Sequence, residues 1–341
     1  MNWQTYLNAD PLPWLLEPED PPLRYFALRD LLDHPADDPQ GVAARAAIMD
    51  YPPIQAILDA QYPEGYWVKP GPGYSPKYRA TVWQLIFLEQ MGADGRDPRV
   101  QRGCEYVLAH TQTENGGFGA SGSARLEAPP PSRVLHCLHG NLTRALLGLG
   151  YGEDPRLARA IRWQVAAITG EGAIRYYRSG TNAPGFACAH NGGLPCAWGA
   201  IKALRALACV PEMAAQTQSG PQLDRALQIG VEFLLSRDPA QADYPASSEK
   251  ISAAWFKLGF PSGYVADLLQ NLEVLIALGQ AQDPRLGPAV DWMLRQQDAQ
   301  GRWRNRYAYN GKLWTDVEQQ GAPSKWVTLR ALRVLKAVFT A

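Results

Sequence analysis

Three of the five cysteines and three of the five histidines fall between His136 and Cys196. They stand in two strings, His136-Cys137-Leu138-His139 and Cys188-Ala189-His190-Asn191-Gly192-Gly193-Leu194-Pro195-Cys196. Thiolate and imidazole are the donors that suit zinc, and four of them complete its tetrahedron. Cys137, Cys188, Cys196 and His190 would form such a set and so make Zn2+ the expected cofactor. His139 and His136 are alternative fourth ligands, and His136 is equally suited to orienting a ligand from behind. Gly192 and Gly193 would let the loop bend back so that both of its cysteines face one ion. A closed Cys3His set would be structural, whereas two cysteines, one histidine and an open position would be catalytic. The spacing matches no CxxC finger, so the expectation rests on donor type and placement. Cys104 and Cys209 lie on helical segments and suit the core, where unpaired cysteine is common. Core filling is also the plain alternative for the other three.

A second group of residues could line a cavity. Tyr78, Trp83, Asn141, Trp198, Tyr264 and Trp326 all fall near the starts of the most apolar helical segments, with Lys77 and Lys325 beside them. Aromatic walls take apolar or cationic ligands by burying area and presenting ring faces. Singly, each such ring serves equally well as packing between helices. Asp267 is the acid that opens the helical segment after the long loop Asp238–Pro261. It suits a general acid or base, or a first-turn carboxylate favoured by the helix dipole. That loop is long enough to lie over one end of the molecule as a lid, or to be an irregular connection.

Other chemistries are excluded. Gly71-Pro72-Gly73 and the glycines at 119 and 122 precede no Gly-Lys-Ser/Thr, so there is no phosphate loop. Ser247-Ser248-Glu249-Lys250 matches a Ser-x-x-Lys string without its partner motifs. Lys and Arg number 33 against 33 Asp and Glu, which leaves no electrostatic footprint for nucleic acid. The longest uncharged segment, Ser179–Ile201, is broken by Gly, Pro and Asn and is no membrane span. Met1–Asp10 lacks a basic, apolar leader, and an odd cysteine count argues against a disulfide framework. A cytoplasmic protein is expected, with a small molecule or peptide as its ligand.

The elements that must hold these residues repeat along the chain. At 341 residues it exceeds the usual single core, while 46% apolar residues suffice for a large one. Asp-Pro-Arg followed by Val or Leu recurs at Asp97, Asp154 and Asp283, each time after a glycine-ended apolar segment. Aspartate caps a helix and proline suits its first position, so the string marks a helix start. A degenerate copy lies at Gln222–Arg225. Between these marks run apolar helices, expected at Thr81–Gly92, Leu142–Gly150, Ala197–Ala208, Val265–Gly279 and Val327–Val338. They alternate with amphipathic ones at Arg99–His110, Arg156–Ile168, Leu223–Leu235 and Arg285–Gln297. Leu23–His34 and Val42–Gln61 supply an earlier pair. Six helices buried on most faces and five buried along one stripe predict two concentric layers.

Glycine turns carrying an aromatic follow the amphipathic helices: Gln61–Trp67, Gln112–Gly119, Gly170–Tyr177 and Gln297–Trp303. These turns resemble the QW-type repeats of the α/α-toroid superfamily, which includes squalene and oxidosqualene cyclases and protein prenyltransferase β subunits. The resemblance covers the chain from about Leu23 to Val338. It implies an all-α, α/α-toroid domain over residues 23–341 of about six helical hairpins, preceded by an extension at 1–22. It also implies a terpenoid-cyclase- or prenyltransferase-like protein with an isoprenoid or thiol-containing substrate in a central cavity. Cys137–Gly140 and Cys196–Gly199 look loosely like the zinc motifs of lanthionine synthetase cyclases. The DxDD and DDxxD strings of terpene cyclases do not occur, so proton-initiated cyclisation lacks its acid. The alternative is a non-catalytic toroid in which zinc staples two helix entries and the molecule serves as a scaffold.

Overall fold

The computed structural model describes residues 2–172, 184–210, 220–248 and 250–340. Its α-helices, numbered in chain order, are α1 (Leu12–Leu15), α2 (Pro21–Asp30), α3 (Pro39–Ala46), α4 (Pro52–Asp59), α5 (Thr81–Gln90), α6 (Pro98–His110) and α7 (His136–Gly148). They continue with α8 (Pro155–Thr169), α9 (Ala197–Leu207), α10 (Gly220–Leu235), α11 (Leu268–Ala277), α12 (Gly287–Leu294) and α13 (Lys325–Thr340). The only sheet among the described residues is a two-residue antiparallel pair, Trp303–Arg304 with Pro323–Ser324.

The helices form an α/α toroid. α5, α7, α9, α11, α13 and α2 pack side to side in that order, and Phe26 of α2 lies against Gly92 just past α5. α4 and α6 sit on α5, α8 on α7, α10 on α8 and α9, and α12 on α11. The inner helices are buried nearly all round: every residue of α5 from Thr81 to Leu88 is buried. The outer ones bury a stripe, as in α6 at Val100, Gly103, Cys104 and Val107. The Asp-Pro-Arg marks act as helix starts. Asp97, Asp154 and Asp283 each accept from the backbone N–H two residues on, at 2.7–2.9 Å.

Two expected outer helices are broken. Val42–Gln61 divides into the end of α3, a 3-10 turn at Ala47–Asp50, and α4, because Pro52 and Pro53 have no N–H to continue a helix and instead open a new one. Arg285–Gln297 likewise begins as a 3-10 turn at Pro284–Leu286 before α12. α7 starts six residues earlier than Leu142, which brings His136, Cys137 and His139 onto the helix. The first residues share the main core: Trp3, Leu12 and Leu15 are buried, and Tyr6 stacks on Phe339 of α13 at 3.8 Å.

The glycine-aromatic turns show how the layers are joined. Trp67 donates its indole N–H to the Ile57 carbonyl ending α4 (2.7 Å), and its backbone N–H to Thr81 Oγ1 opening α5 (3.1 Å). Trp303 repeats this with Met293 (2.8 Å) and Thr328 (2.9 Å). One ring therefore ties the end of an outer helix to the start of the next inner helix. Gln61 and Gln112 brace their turns, each donating to a carbonyl in its own turn and to one at the start of the next outer helix, Arg99 and Arg156. In the turn Gln112–Gly119 Phe118 replaces Trp, and its N–H donates to His139 Nδ1 at 3.0 Å, while most of the expected turn Gly170–Tyr177 lies outside the described residues. His139 thus occupies the place of Thr81 and Thr328.

Candidate functional site

A cavity of about 820 Å3 opens at the rim where α5, α7 and α9 begin. Three stretches build its walls. The loop before α5 contributes Tyr74 and Lys77; the entries to α7 and α9 contribute Cys137, Cys188, His190, Cys196 and Trp198. The long loop 238–261 supplies Tyr244, Lys250 and Trp255, and Tyr264 follows it. Asn191 locks two of these stretches together. Its amide donates to the Pro195 and Pro245 carbonyls (both 3.0 Å), while its oxygen accepts from Ser247 N–H at 2.9 Å. The loop carrying the cysteines is closed on itself by an antiparallel bridge between Ala187 and Pro195. Cys188 N–H donates to Leu194, and Cys196 N–H to Phe186. Gly192 and Gly193 take positive φ (66° and 83°), which lets that hairpin turn back.

Cys137, Cys188 and Cys196 therefore reach one wall, although they come from segments about fifty residues apart. The Cys188 and Cys196 thiols share a hydrogen bond, and that contact, before burial, pushes Cys196 upward. Burial, with Cys188 as a neighbour, pushes Cys137 up to about 12. Both shifts favour the protonated thiol at Cys137 and Cys196. Among the described residues no group of three or more His, Cys, Asp and Glu side chains is arranged to hold a metal ion. Of the two alternative histidines, His139 has both ring nitrogens engaged and His136 has one, its buried Nε2 meeting no partner among the described residues. His139 is fully buried, accepting from Phe118 and meeting the Ala160 carbonyl through Nε2 at 3.0 Å. His136 is buried against Trp163 and Phe186, with Nδ1 on the Gln164 amide at 2.9 Å. Burial pushes both down to about 3, so they are neutral at physiological pH. His190 is exposed at the cavity edge. As placed, these donors do not form the tetrahedral set expected from their types.

Of the six aromatic and amide candidates, Trp198 and Tyr264 line the cavity. The other four lie outside its lining and have work in the fold. Trp83 donates its indole N–H to the Tyr74 carbonyl at 2.9 Å, and Asn141 donates to Gly263 at 3.0 Å. Tyr78 stacks on Tyr309 at 4.1 Å, and Trp326 on Phe260 at 4.3 Å. Asp267 also lies outside the cavity lining. Its carboxylate caps α11, accepting from Gln270 N–H (2.8 Å) and Gly259 N–H (3.0 Å), with the Arg330 guanidinium 3.8 Å away. Burial raises its pKa against the pull of Arg330.

Tyr74, Tyr244, Trp255, Arg133 and Lys250 also line the cavity and were not read as site residues in the sequence. The length of the 238–261 loop was the signal for two of the aromatics. Nothing in the sequence pointed to Lys202 either. It sits fully buried on α9, donating Nζ to Gln270 Oε1, and burial lowers it to about 7.

No protein-family model and no curated protein matches the chain. Among solved structures, the apo type II terpene cyclase MstE from Scytonema aligns at 16% identity and a TM-score of 0.44, over 93% of this chain and 87% of that one. A variant of that cyclase in complex with geranylgeranyl dihydroxybenzoate aligns at 13% identity and a TM-score of 0.31, over 86% of this chain and 97% of the other. A variant in complex with merosterolic acid A aligns at 12% identity and a TM-score of 0.32.

Proposed function

We propose that this toroid binds a small, predominantly apolar molecule of isoprenoid type in the cavity at the α5–α7–α9 rim. The observation that carries the proposal is convergence. Segments far apart in sequence place Tyr74, Trp198, Tyr244, Trp255 and Tyr264 around one concavity, with three thiols on its wall. Its volume lies within the ~300–1,000 Å3 of ordinary small-molecule sites. Aromatic faces supply the area that an unsaturated chain would cover. With Asp267 committed as a helix cap, the residues named here bind and orient an occupant, and the wall thiols are the groups that would meet its reactive end.

Two tryptophans in the wall make the test direct. Farnesol titrated against the reduced full-length chain should change the intrinsic fluorescence saturably. Trp198→Ala should weaken binding by roughly 10- to 100-fold, the worth of one well-covered aromatic side chain. Bound farnesol should also slow alkylation of Cys188 and Cys196, while Cys209, exposed just past the far end of α9, reacts at an unchanged rate. Saturable binding that leaves the wall cysteines as reactive as before would place the ligand elsewhere and refute the proposal.

A further inference from the structure

The mouth of the cavity carries a charge pattern that an apolar ligand alone does not explain. Lys77, Arg133 and Lys250 all line it and all are exposed. No Asp or Glu is present among the described lining residues, and none of the three cations forms an ion pair among them. The net charge of the chain is zero, so this local excess is not a consequence of a basic protein. Lys77 is also directed. Its ammonium lies 4.5 Å from the Tyr264 ring centroid and 6.0 Å from that of Tyr74, so the cavity wall itself holds the cation over the opening.

We infer that the cavity selects amphiphiles with an anionic head, a carboxylate or a phosphate, seated at Lys77, Arg133 and Lys250 with the tail against Trp198, Tyr244 and Trp255. The inference rests on the cavity-binding proposal above. A guanidinium offers two parallel donors to either head group, and the ammonium groups add point charge without fixed geometry. Cations grouped at the mouth of a low-dielectric concavity focus their field into it, which orients such a molecule head outward.

Three ligands with one tail and different heads test this: farnesol, farnesoic acid and farnesyl monophosphate, each titrated against the full chain by tryptophan fluorescence. At low salt at least one acid should bind tighter than farnesol by about tenfold or more, as expected for several partly solvated charge contacts. At about 0.5 M salt most of that preference should vanish, because screening then acts within a few ångströms. Whichever acid gains more identifies the head group. The triple variant Lys77→Ala/Arg133→Ala/Lys250→Ala should lose the preference, all three ligands then binding alike, while an unchanged circular dichroism spectrum and urea midpoint show that it folds. Farnesol binding as tightly as both acids would overturn the inference and leave the cavity proposal standing. Binding of none of the three would remove both.

Discussion

Lys202 offers the sharpest check on the electrostatics of the inner ring. It is fully buried on α9, and its one hydrogen-bond acceptor among the described residues is Gln270 Oε1. Burial, reinforced by Arg205 and Arg330 and opposed by Asp267, lowers its pKa from an ordinary 10.5 to about 7. For a base whose folded pKa is depressed, the unfolded chain holds the proton more tightly. The cost to stability is therefore complete below about pH 7 and fades as pH rises to 10.5. At about 1.4 kcal/mol per tenfold change in proton affinity, that cost is on the order of 5 kcal/mol. Lys202→Met removes the charge but strands the Gln270 oxygen, a penalty of ~1–3 kcal/mol. The variant should accordingly be more stable than the parent by roughly 2–4 kcal/mol at pH 6, and less stable by ~1–3 kcal/mol near pH 10.5. Urea unfolding at a series of pH values, followed by circular dichroism, measures both ends. A difference between the two proteins that keeps one sign and size across that range would refute the assignment of a displaced ammonium at this position.

Three further outcomes follow from the packing. His139→Leu should cost ~2–4 kcal/mol, because it strands the Phe118 N–H and the Ala160 carbonyl, and it should leave ligand affinity unchanged; a large affinity loss at full stability would contradict the structural role. His136 and His139 both titrate at about 3 when folded, so stability should fall as pH drops below 6.5, by up to about 2 kcal/mol per residue at pH 5, and His139→Leu should roughly halve that slope in acid denaturation. Gly140→Ala places its new carbon 2.4 Å from the Lys202 carbonyl, where α7 and α9 touch backbone to backbone, whereas Gly230→Ala meets only the movable Leu204 side chain. The first should lower the urea midpoint by the equivalent of ~1–3 kcal/mol or more and the second by clearly less; equal losses would contradict the close approach of the two inner helices.

How far the molecule was legible in its sequence depended on which forces act locally. Helix starts were readable because an aspartate cap and a proline at the first position solve a problem confined to four residues, and Asp97, Asp154 and Asp283 each do so. The two-layer ring was readable because burial on all faces and burial on one stripe leave different apolar periods. The proline breaks at Pro52 and Pro284 were legible in principle, yet an amphipathic pattern running through them concealed the turns. Individual site residues were harder, because a side chain's role is set by what a distant segment brings to it. Trp83 and Trp198 have similar local settings at the openings of α5 and α9. Trp83 points its indole N–H at the Tyr74 carbonyl and Trp198 lines the cavity, a difference no spacing encodes.

The cysteines and histidines show the same limit more sharply. Donor type suggested a tetrahedron, but imidazole is also a compact group that accepts at one nitrogen and donates at the other. At His139 the fold uses it that way, joining a turn to an inner helix where its own repeats use threonine. Comparing the repeats with one another would have exposed this: the residue that follows the glycine-aromatic turn and opens the inner helix is Thr81 in one copy and Thr328 in another. A histidine in that slot inherits a structural task before any chemical one. Cys196 fills one such slot in part, its sulfur capping α9 at Gly199 N–H (3.5 Å) as Asp267 caps α11 and Ser324 caps α13. Nothing in the toroid's repeated joinery requires Cys137 or Cys188, and all three cysteines face the one cavity whose mouth holds Lys77, Arg133 and Lys250 without acid partners among the described residues. Residues that the repeat leaves unemployed and the topology gathers at one opening are where the specific activity of this toroid has to be sought.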